Sequence, residues 1–284
     1  LDMSNNGGGS LSDAVELAGL FFKTGNVVKQ SSKNPRLKPI PLKDEDPEVD
    51  WPGPLVVLTS RVSASASEIV AGTLKDYDRA VIVGADHTFG KGSVQQVIPL
   101  APGLGALKVT VGMFFTPGGF STQHRGVTSD IVLPSALDEK EIGEKTLPYS
   151  LPPKKIGSFI SKDAFVSSGS GKWIKVAKKT IQTLAKRSKH RVSKDKEFKE
   201  IISEVKKAKA EEKKGLVLGE SFDERKDKNE EYEKKKKQTD AEKLAEYHKR
   251  PDVKEAVNVL IDLIDIQSKV PLKLAKDSKP LDAG

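Results

Sequence analysis

Two short runs of apolar residues constrain the fold of this chain more than any other feature. They read Pro54-Leu-Val-Val-Leu-Thr59 and Ala80-Val-Ile-Val83, and a helix-like stretch over residues 66–77 separates them. A continuous apolar run of this length is typical of a strand that is buried on both faces. The order strand, helix, strand predicts an α/β core with right-handed crossovers. Two further strands are predicted over residues 93–99 and 106–115.

The segment before the first run indicates a strand end, a turn and a helix. Leu1-Asp2-Met3 leads directly into Asn5-Asn-Gly-Gly-Gly9, which predicts the end of a strand whose beginning is missing, so we expect the chain to be a fragment. Ser10 opens an apolar helical stretch that reaches Phe22, and Gly25-Asn26 is predicted to end it. Residues 31–53 are polar and contain five prolines, and they predict a long surface loop.

The second half of the chain has a different composition. Residues 1–150 contain 14 basic and 17 acidic side chains, whereas residues 151–284 contain 34 and 23. The excess positive charge is interleaved with Glu and Asp, which favours solvated helix surfaces over a nucleic-acid-binding surface. Apolar residues recur at helical spacing, as in Val253, Val257, Leu260 and Ile261. Helices are predicted over residues 171–187, 195–213, 222–248 and 252–267.

Composition also excludes several classes of site. The chain contains no cysteine, so disulfides, thiolate catalysis and cysteine-based metal centres are excluded. Its four histidines are widely separated, and we expect neither a metal nor a cofactor. No apolar run approaches the roughly 18 residues that a membrane-spanning helix needs.

The first motif that could carry chemistry lies between the first buried strand and the following helix. It reads Arg61-Val-Ser-Ala-Ser-Ala-Ser-Glu-Ile69. Small residues at such a turn let a side chain stand exposed at the carboxyl end of the strand, where α/β proteins place ligands. Ser65 and Glu68 also fit a capping box, in which Ser65 has a structural role only. In the catalytic alternative, the free N–H groups beside a serine at a helix N-terminus receive an oxyanion.

A second motif surrounds a lysine in the stretch of residues 88–96. A glycine on each side of Lys91 predicts a tight turn that delivers this side chain inward, and a surface lysine in a hairpin is the alternative. A phosphate-binding loop does not fit, because five residues rather than four separate Gly84 from Gly90. In addition, Gly92 stands where Ser or Thr should be, and a strand-like segment follows.

Taken together and in this order, the motifs resemble those of the carboxy-terminal processing proteases, in particular the tail-specific branch. The resemblance covers nearly all of residues 1–135, and the helical tail resembles this branch around Lys194-Asp-Lys-Glu-Phe198. The matching segments are Asn5-Asn-Gly-Gly-Gly9, Pro54-Leu-Val-Val-Leu58, Ser63-Ala-Ser-Ala-Ser-Glu-Ile69, Asp76-Tyr-Asp-Arg-Ala80, Phe89-Gly-Lys-Gly-Ser-Val-Gln-Gln96 and Gly118-Gly-Phe-Ser-Thr-Gln-His-Arg-Gly-Val-Thr-Ser-Asp-Ile131.

The resemblance implies a serine endopeptidase that uses a Ser–Lys dyad and an acyl-enzyme. Ser65 would be the nucleophile, Lys91 the general base and Gln95 the residue that orients the lysine. Gly9 and Ala66 would supply the amides of the oxyanion hole. A lysine can accept a proton only when it is neutral, and lowering its pKa by about 3 from the usual value near 10.4 requires burial worth about 4 kcal/mol.

Three further positions need separate treatment. Asp76 matches an acidic position that is tied to activity in the family, and we assign it a structural role because a Ser–Lys dyad needs no carboxylate. Compared with the pattern of the family, one extra residue around 85–87 lengthens the loop that leads into the lysine motif. His124 stands where a basic residue is expected, and a pairing of Ser65 with His124 is an alternative to the lysine.

The resemblance also implies an architecture and a setting. Residues 1–135 would form a protease core with crotonase/ClpP-like α/β layering, residues 136–150 a linker and residues 151–284 an all-α domain. A PDZ domain would lie before the glycine turn, outside this chain. The implied partners are protein or peptide substrates with apolar C-termini and, as an optional partner, an adaptor protein. Neither nucleic acid nor a membrane span is implied, and the implied location is the bacterial periplasm.

The sequence motifs are also compatible with two other functional classes. A crotonase-like acyl-CoA enzyme shares the strand–helix layering and paired oxyanion amides, but it has no use for a serine and a lysine at these positions. A non-catalytic scaffold or peptide-binding fragment, in which Ser65 only caps a helix, is the other alternative.

Overall fold

A computed structural model of the protein describes residues 1–32, 40–138, 141–165, 173–212 and 238–269. The strands are β1 Gly25–Ser32, β2 Pro41–Asp44, β3 Val56–Thr59, β4 Val81–Gly84, β5 Ser93–Pro99, β6 Ala106–Phe115 and β7 Ile131–Val132. The α-helices of the described residues are α1 Leu11–Gly19, α2 Ala66–Asp76, α3 Lys178–Lys194, α4 Lys196–Glu212, α5 Asp240–Lys249 and α6 Pro251–Ser268.

The two apolar runs form neighbouring strands of a parallel sheet, as predicted. This sheet has the order β3-β4-β7, and β3 and β4 pair with Val56 opposite Val81. Helix α2 is the crossover between them. Asp2 forms a parallel bridge with Leu58 beside β3, so the first residues continue the sheet as the predicted strand end does.

The other four strands form an antiparallel sheet with the order β2-β1-β6-β5. The loop prediction over residues 31–53 was therefore wrong in part, because it covers β2 and the end of β1. The predicted helix ends at Gly19 instead of reaching Phe22. Strand β1 is hard to detect because only Gly25, Val27 and Val28 are buried in it, and partners distant in sequence supply its hydrogen bonds.

Two apolar clusters cover the two faces of the parallel sheet. Successive side chains of a strand point to opposite faces. Val57 and Ile82 accordingly join the cluster that includes α1, α2 and β1, whereas Leu58 and Val83 join the one that includes α3, α4 and α6. Burying each such side chain stabilises the fold by about 1.5–3 kcal/mol.

The helices of the second half pack on the outer face of the parallel sheet. The predictions over residues 195–213 and 252–267 are confirmed by α4 and α6, whereas the predicted helix at 171–187 begins at Lys178 and continues to Lys194. Its last turns are held by Arg191, which pairs with Glu255 and Asp262 at 2.8 Å each. Most of the predicted helix 222–248 lies outside the described residues, and α5 is its described part.

The buried face of α6 differs from the predicted one. Val257 and Ile261 are exposed, although their spacing with Val253 predicted a core-facing stripe. The stripe that packs against the sheet consists of Val253, Ala256, Val259 and Leu263. The domain boundaries at 135 and 151 stay a prediction. None of the helices in the described ranges is both long and apolar enough to cross a membrane.

Candidate active site

The turns that carry Ser65 and Lys91 leave the same edge of the parallel sheet, because β3 and β4 are neighbours. Ser65 precedes α2 with φ 57° and ψ −115°, which is not the extended backbone of an ordinary N-cap. Glu68 Oε2 accepts a hydrogen bond from the Ser65 N–H at 2.8 Å, and the predicted capping box between Ser65 and Glu68 is present at this turn. A serine with a strained backbone at a strand-to-helix turn is typical of a nucleophile.

A single buried carboxylate joins the two turns. Glu68 Oε2 accepts hydrogen bonds from the backbone N–H groups of both Ser65 and Lys91, at 2.8 and 2.9 Å. Glu68 Oε1 accepts from the Gly90 N–H at 2.7 Å and from the Thr88 hydroxyl. Burial raises the pKa of Glu68 to about 7, although all four hydrogen bonds act in the opposite direction. The sequence motif predicts Glu68 only as part of a helix cap, and no local signal indicates this second role.

The amine of Lys91 is held by polar, uncharged groups at the start of β5. Its Nζ donates to Ser93 Oγ and to Gln95 Oε1, both at 3.2 Å, and the hydrogen bonds of Nζ within the described chain do not include Ser65. The orienting contact expected from Gln95 is thus present, and Ser93 adds a partner that the motif comparison missed. Burial lowers the pKa of the Lys91 amine, as a general base requires.

The glycine turn lies directly against the serine turn. Gly8 has φ 108°, and a Cβ atom at this position would lie 2.8 Å from both Ala64 O and Ser65 Cβ. Asn6 O accepts hydrogen bonds from the Ala64 N–H at 3.2 Å and from Ser67 Oγ at 2.8 Å. Only glycine permits this approach, and the two hydrogen bonds hold the turns together.

The two amides predicted for an oxyanion hole are available. Within the described residues, the N–H groups of Gly9 and Ala66 donate no hydrogen bond to the protein. Both residues border a cavity of about 210 Å³ beside Ser65. Its apolar lining comes from Met3, Ala14, Leu17 and Val70. No group of three or more Asp, Glu and His side chains is placed to hold a metal ion in the part of the chain that the structure describes.

The remaining predicted residues lie away from the Ser65 hydroxyl. Asp76 ends α2, about 16 Å along the helix axis from Ser65, and its Oδ2 accepts a hydrogen bond from the Gly118 N–H at 2.7 Å. His124 has its ring Nε2 2.8 Å from Ser150 Oγ, and the described contacts of this ring do not include Ser65. The alternative pairing of Ser65 with His124 therefore has no geometric support.

The loop that carries the extra residue is anchored to the serine turn. Arg61 Nε and Nη2 donate to the two carboxylate oxygens of Asp86, each at 3.0 Å. A bidentate pair of this kind fixes orientation as well as distance. The longer loop around residues 85–87 is thus held against the segment that leads to Ser65.

Comparison with known proteins identifies relatives of this chain. The sequence model of the family described as Peptidase family S41 matches residues 1–133. The chain is 37% identical over 214 residues to a tail-specific protease of Haemophilus influenzae, with 72% of this chain and 29% of that protein covered. It is 41% identical over 149 residues to a carboxy-terminal-processing protease of Bartonella bacilliformis, with 50% and 32% covered.

Among solved structures, a photosystem II D1 C-terminal processing protease is similar with 38% identity and a TM-score of 0.42. The match covers 47% of this chain and 33% of that one. The chain thus spans about a third of the length of the relatives that it matches. Residues 1–133 match the model of this family, and the chain is 37% identical to a tail-specific protease. We conclude that this chain belongs to peptidase family S41.

Proposed function

We propose that this chain carries the catalytic centre of a serine endopeptidase that acts on the C-terminal regions of proteins. Ser65 is the nucleophile, Lys91 the general base and Gln95 the residue that orients the amine. The observation that carries this proposal is the shared Glu68 Oε2 atom, since it accepts from the N–H groups of both Ser65 and Lys91. The names of the matched proteases support the substrate class.

The proposed reaction begins with attack of Ser65 Oγ on the carbonyl carbon of the scissile peptide, while the neutral Lys91 amine takes the hydroxyl proton. The N–H groups of Gly9 and Ala66 bind the developing oxyanion, and one such donor is typically worth about 3–4 kcal/mol. The intermediate collapses, and the leaving amine takes the proton from the Lys91 ammonium. Water then attacks the ester on Ser65, with Lys91 again as the base.

The surroundings of Lys91 suit this role. The Ser93 hydroxyl and the Gln95 amide oxygen accept from its amine without a negative charge, whereas a carboxylate in their place would favour the ammonium form. In the proposed reaction, the amine turns from these partners toward Ser65 when substrate enters. Catalytic hydrogen bonds are often long or absent before substrate binds.

Several finer features belong to this proposal. The cavity beside Gly9 and Ala66 holds an apolar side chain of the substrate. The core has crotonase/ClpP-like layering, the second half forms an all-α domain, and the protein acts in the periplasm, with or without an adaptor. A crotonase-like acyl-CoA enzyme and a scaffold are the alternatives, and the strained backbone of Ser65 favours the protease over the scaffold.

Substitution of the dyad tests the proposal. We expect Ser65→Ala, Lys91→Ala and Lys91→Arg each to lower peptide cleavage by at least about 10³-fold, with the fold retained. Arginine fails because its guanidinium stays charged and cannot accept a proton. Labelling of Ser65 by a serine-directed fluorophosphonate, read by mass spectrometry, should also be lost in Lys91→Ala.

Lys23→Arg is the matched control, because Lys23 lies outside the site, and it should cleave and label as the wild type does. Robust cleavage by Lys91→Arg would refute the lysine base. Labelling of Ser65 that is independent of Lys91 would refute the dyad.

A further inference from the structure

Strand β5 begins beside the proposed base and has one edge that no other strand covers. It is the last strand in the order β2-β1-β6-β5, so within the described residues only β6 pairs with it. The Lys91 amine donates to the side chains of Ser93 and Gln95, which are the first and third residues of this strand. The open edge of β5 is therefore continuous with the candidate active site.

The hydrogen bonds of the hairpin decide which residues of β5 face its open edge. The Leu100 N–H donates to the carbonyl of the residue before β6, at 3.0 Å. In an antiparallel pair, every second residue exchanges its hydrogen bonds with the partner strand. With the observed register, Ile98 and Gln96 therefore face β6. The backbone N–H and C=O groups of Val97 and Gln95 accordingly point to the open edge.

The other end of the strand leads to the same assignment. The Phe114 N–H donates to the carbonyl of Gly92 at 2.9 Å, and counting from this bond again places Val97 outward, once the bulge of this strand pair is included. Pro99 faces outward as well, where proline has no N–H to offer. The outward residues with both backbone groups are thus Gln95 and Val97, and they lie on the side of the lysine.

The open edge is apolar and carries no charge. Residues 92–107 contain no charged side chain. Val97 is 62% exposed, and because alternate residues share a face, it lies on the same face as the side chains that hold the amine. Natural proteins usually protect such an edge with charges, with proline or with a covering element. Here Pro99 protects the far end, and the part next to Lys91 is left open.

We propose that this edge receives the substrate: an extended, apolar and uncharged segment beside the scissile bond pairs with β5 as a further strand. The outward N–H and C=O groups of Val97 bind the substrate backbone, and the Val97 side chain contacts an apolar side chain of the substrate. The inference rests on the proposed function, in which Ser65 and Lys91 cleave the peptide. It adds the groups of this chain that hold the substrate backbone.

The position of the edge favours a substrate over a second copy of this chain. Val97 lies two residues beyond Gln95, about 7 Å along the strand, so a peptide paired there leads directly to the Lys91 amine. Two outward residues form few backbone hydrogen bonds, which suits a substrate that is released after cleavage. A stable interface between two copies buries a much larger surface.

The test is peptide binding to the 284-residue chain that carries Ser65→Ala, which prevents cleavage. The probe is a fluorescein-labelled peptide whose uncharged C-terminal half alternates Val and Ala, and fluorescence anisotropy gives its Kd. Val97→Pro removes the outward N–H and leaves the pairing with β6 intact, and we expect it to weaken binding by about tenfold. Val97→Thr is the matched control, because it keeps the N–H and the branched shape, and it should weaken binding by less than about threefold.

Two further measurements keep the test independent of the proline variant. Bound peptide should slow amide exchange at Val97, whereas the N–H groups of Gln96 and Ile98 should be protected in the free chain as well. Two versions of the probe carry N-methyl groups on opposite sets of alternate residues. We expect one version to lose binding and the other to keep it, because only one set faces β5.

Several outcomes overturn the inference. They are unchanged binding by a folded Val97→Pro chain, equal weakening by Val97→Pro and Val97→Thr, equal binding of both N-methylated probes, or no binding to the Ser65→Ala chain. A dimer of the free chain that Val97→Pro dissociates, measured by sedimentation velocity, would assign the edge to a second copy instead. The proposed function fails separately, through fluorophosphonate labelling of Ser65 that does not depend on Lys91.

Discussion

Ser65 stands in a backbone conformation that a residue with a side chain adopts at a cost of about 1–3 kcal/mol. Its φ of 57° persists because the Ser65 N–H donates to Glu68 and because Gly8 packs directly against its Cβ. The same Glu68 carboxylate holds the N–H of Lys91. At the scale of single residues, one buried acid therefore keeps Ser65 and Lys91 on adjoining turns.

Glu68→Gln should disturb both turns at once. An amide nitrogen cannot accept hydrogen bonds, so two of the four donors around Glu68 lose their acceptor, at about 1–3 kcal/mol for each. We expect urea unfolding at pH 7 to show a loss of stability and peptide cleavage to fall further than stability alone explains. Glu16→Gln on the exposed side of α1 is the control, and an equal effect of the two changes would contradict the prediction.

The pH dependence of stability should also report on Glu68. Its pKa in the folded chain is raised from an ordinary value of 4.5 to about 7, so the folded state holds a proton that the unfolded state has lost. The contribution to stability is complete below pH 4.5 and is lost as the pH rises through about 7. Urea unfolding at a series of pH values should show this loss in the wild type, and Glu68→Gln should lack it.

At the scale of elements, both ends of α2 are used for contacts outside the helix. Its N-terminal end presents Ser65 and the free Ala66 amide, while Asp76 at its C-terminal end accepts from the Gly118 N–H in the turn after β6. A Cβ at Gly118 would lie 2.8 Å from the Asp76 carboxylate, so a side chain there would displace this carboxylate. Helix α2 thereby ties the antiparallel sheet to the edge where the site lies.

Two substitutions of Asp76 test whether its carboxylate acts as the hydrogen-bond acceptor for Gly118 or through its negative charge. Burial raises the pKa of this carboxylate, so its ionised form is disfavoured in the fold. Asp76→Asn keeps an acceptor for Gly118 and should change the free energy of unfolding by less than about 1 kcal/mol, whereas Asp76→Ala should lose about 1–3 kcal/mol. Thermal unfolding measures both, and equal losses in the two variants would contradict this account.

At the scale of the whole molecule, the helical region and the start of the chain meet at Arg250. Its Nη2 donates to Ser4 Oγ at 2.8 Å, and its Nη1 lies 3.6 Å from Asp2 Oδ2. Ser4 is followed by the Asn–Gly turn that adjoins Ser65. The packing of α6 on the parallel sheet, through Val259 and Leu263, fixes Arg250 in this position.

Arg250→Met should weaken the contact between the helical region and the segment that leads into the glycine turn. We expect a loss of about 1–2 kcal/mol in stability, because a charged hydrogen bond to Ser4 is removed. Amide hydrogen exchange should become faster at Met3, whose N–H donates to Leu58 O. Arg187→Met is the matched control, since Arg187 pairs with Asp262 inside the helical region. Unchanged exchange at Met3 would contradict the proposed connection.

Local sequence patterns were enough to predict those helices and strands in which the spacing of the apolar residues itself indicates which residues are buried. The apolar runs of β3 and β4 can be buried only as strands, and the stretch after Ser65 has the length and cap of a helix. The glycine, small-residue and lysine motifs follow each other in this order along the chain, and this order indicated the candidate site without any information on tertiary contacts. Each of these signals by itself lies within about a dozen consecutive residues, so a single sequence is enough to detect it.

Tertiary structure decided what depends on residues far apart in the chain. Strand β1 is polar over half its length, and its pairing with β2 and β6 makes it a strand. Which stripe of α6 is buried depends on the sheet it meets, because Val253 and Val257 are equally apolar but only Val253 faces the cluster. The hydrogen bond from the Lys91 N–H to Glu68 likewise spans 23 positions of the sequence, and no local pattern encodes it. Burial and charge act through space, and for these residues the folded chain sets the distance.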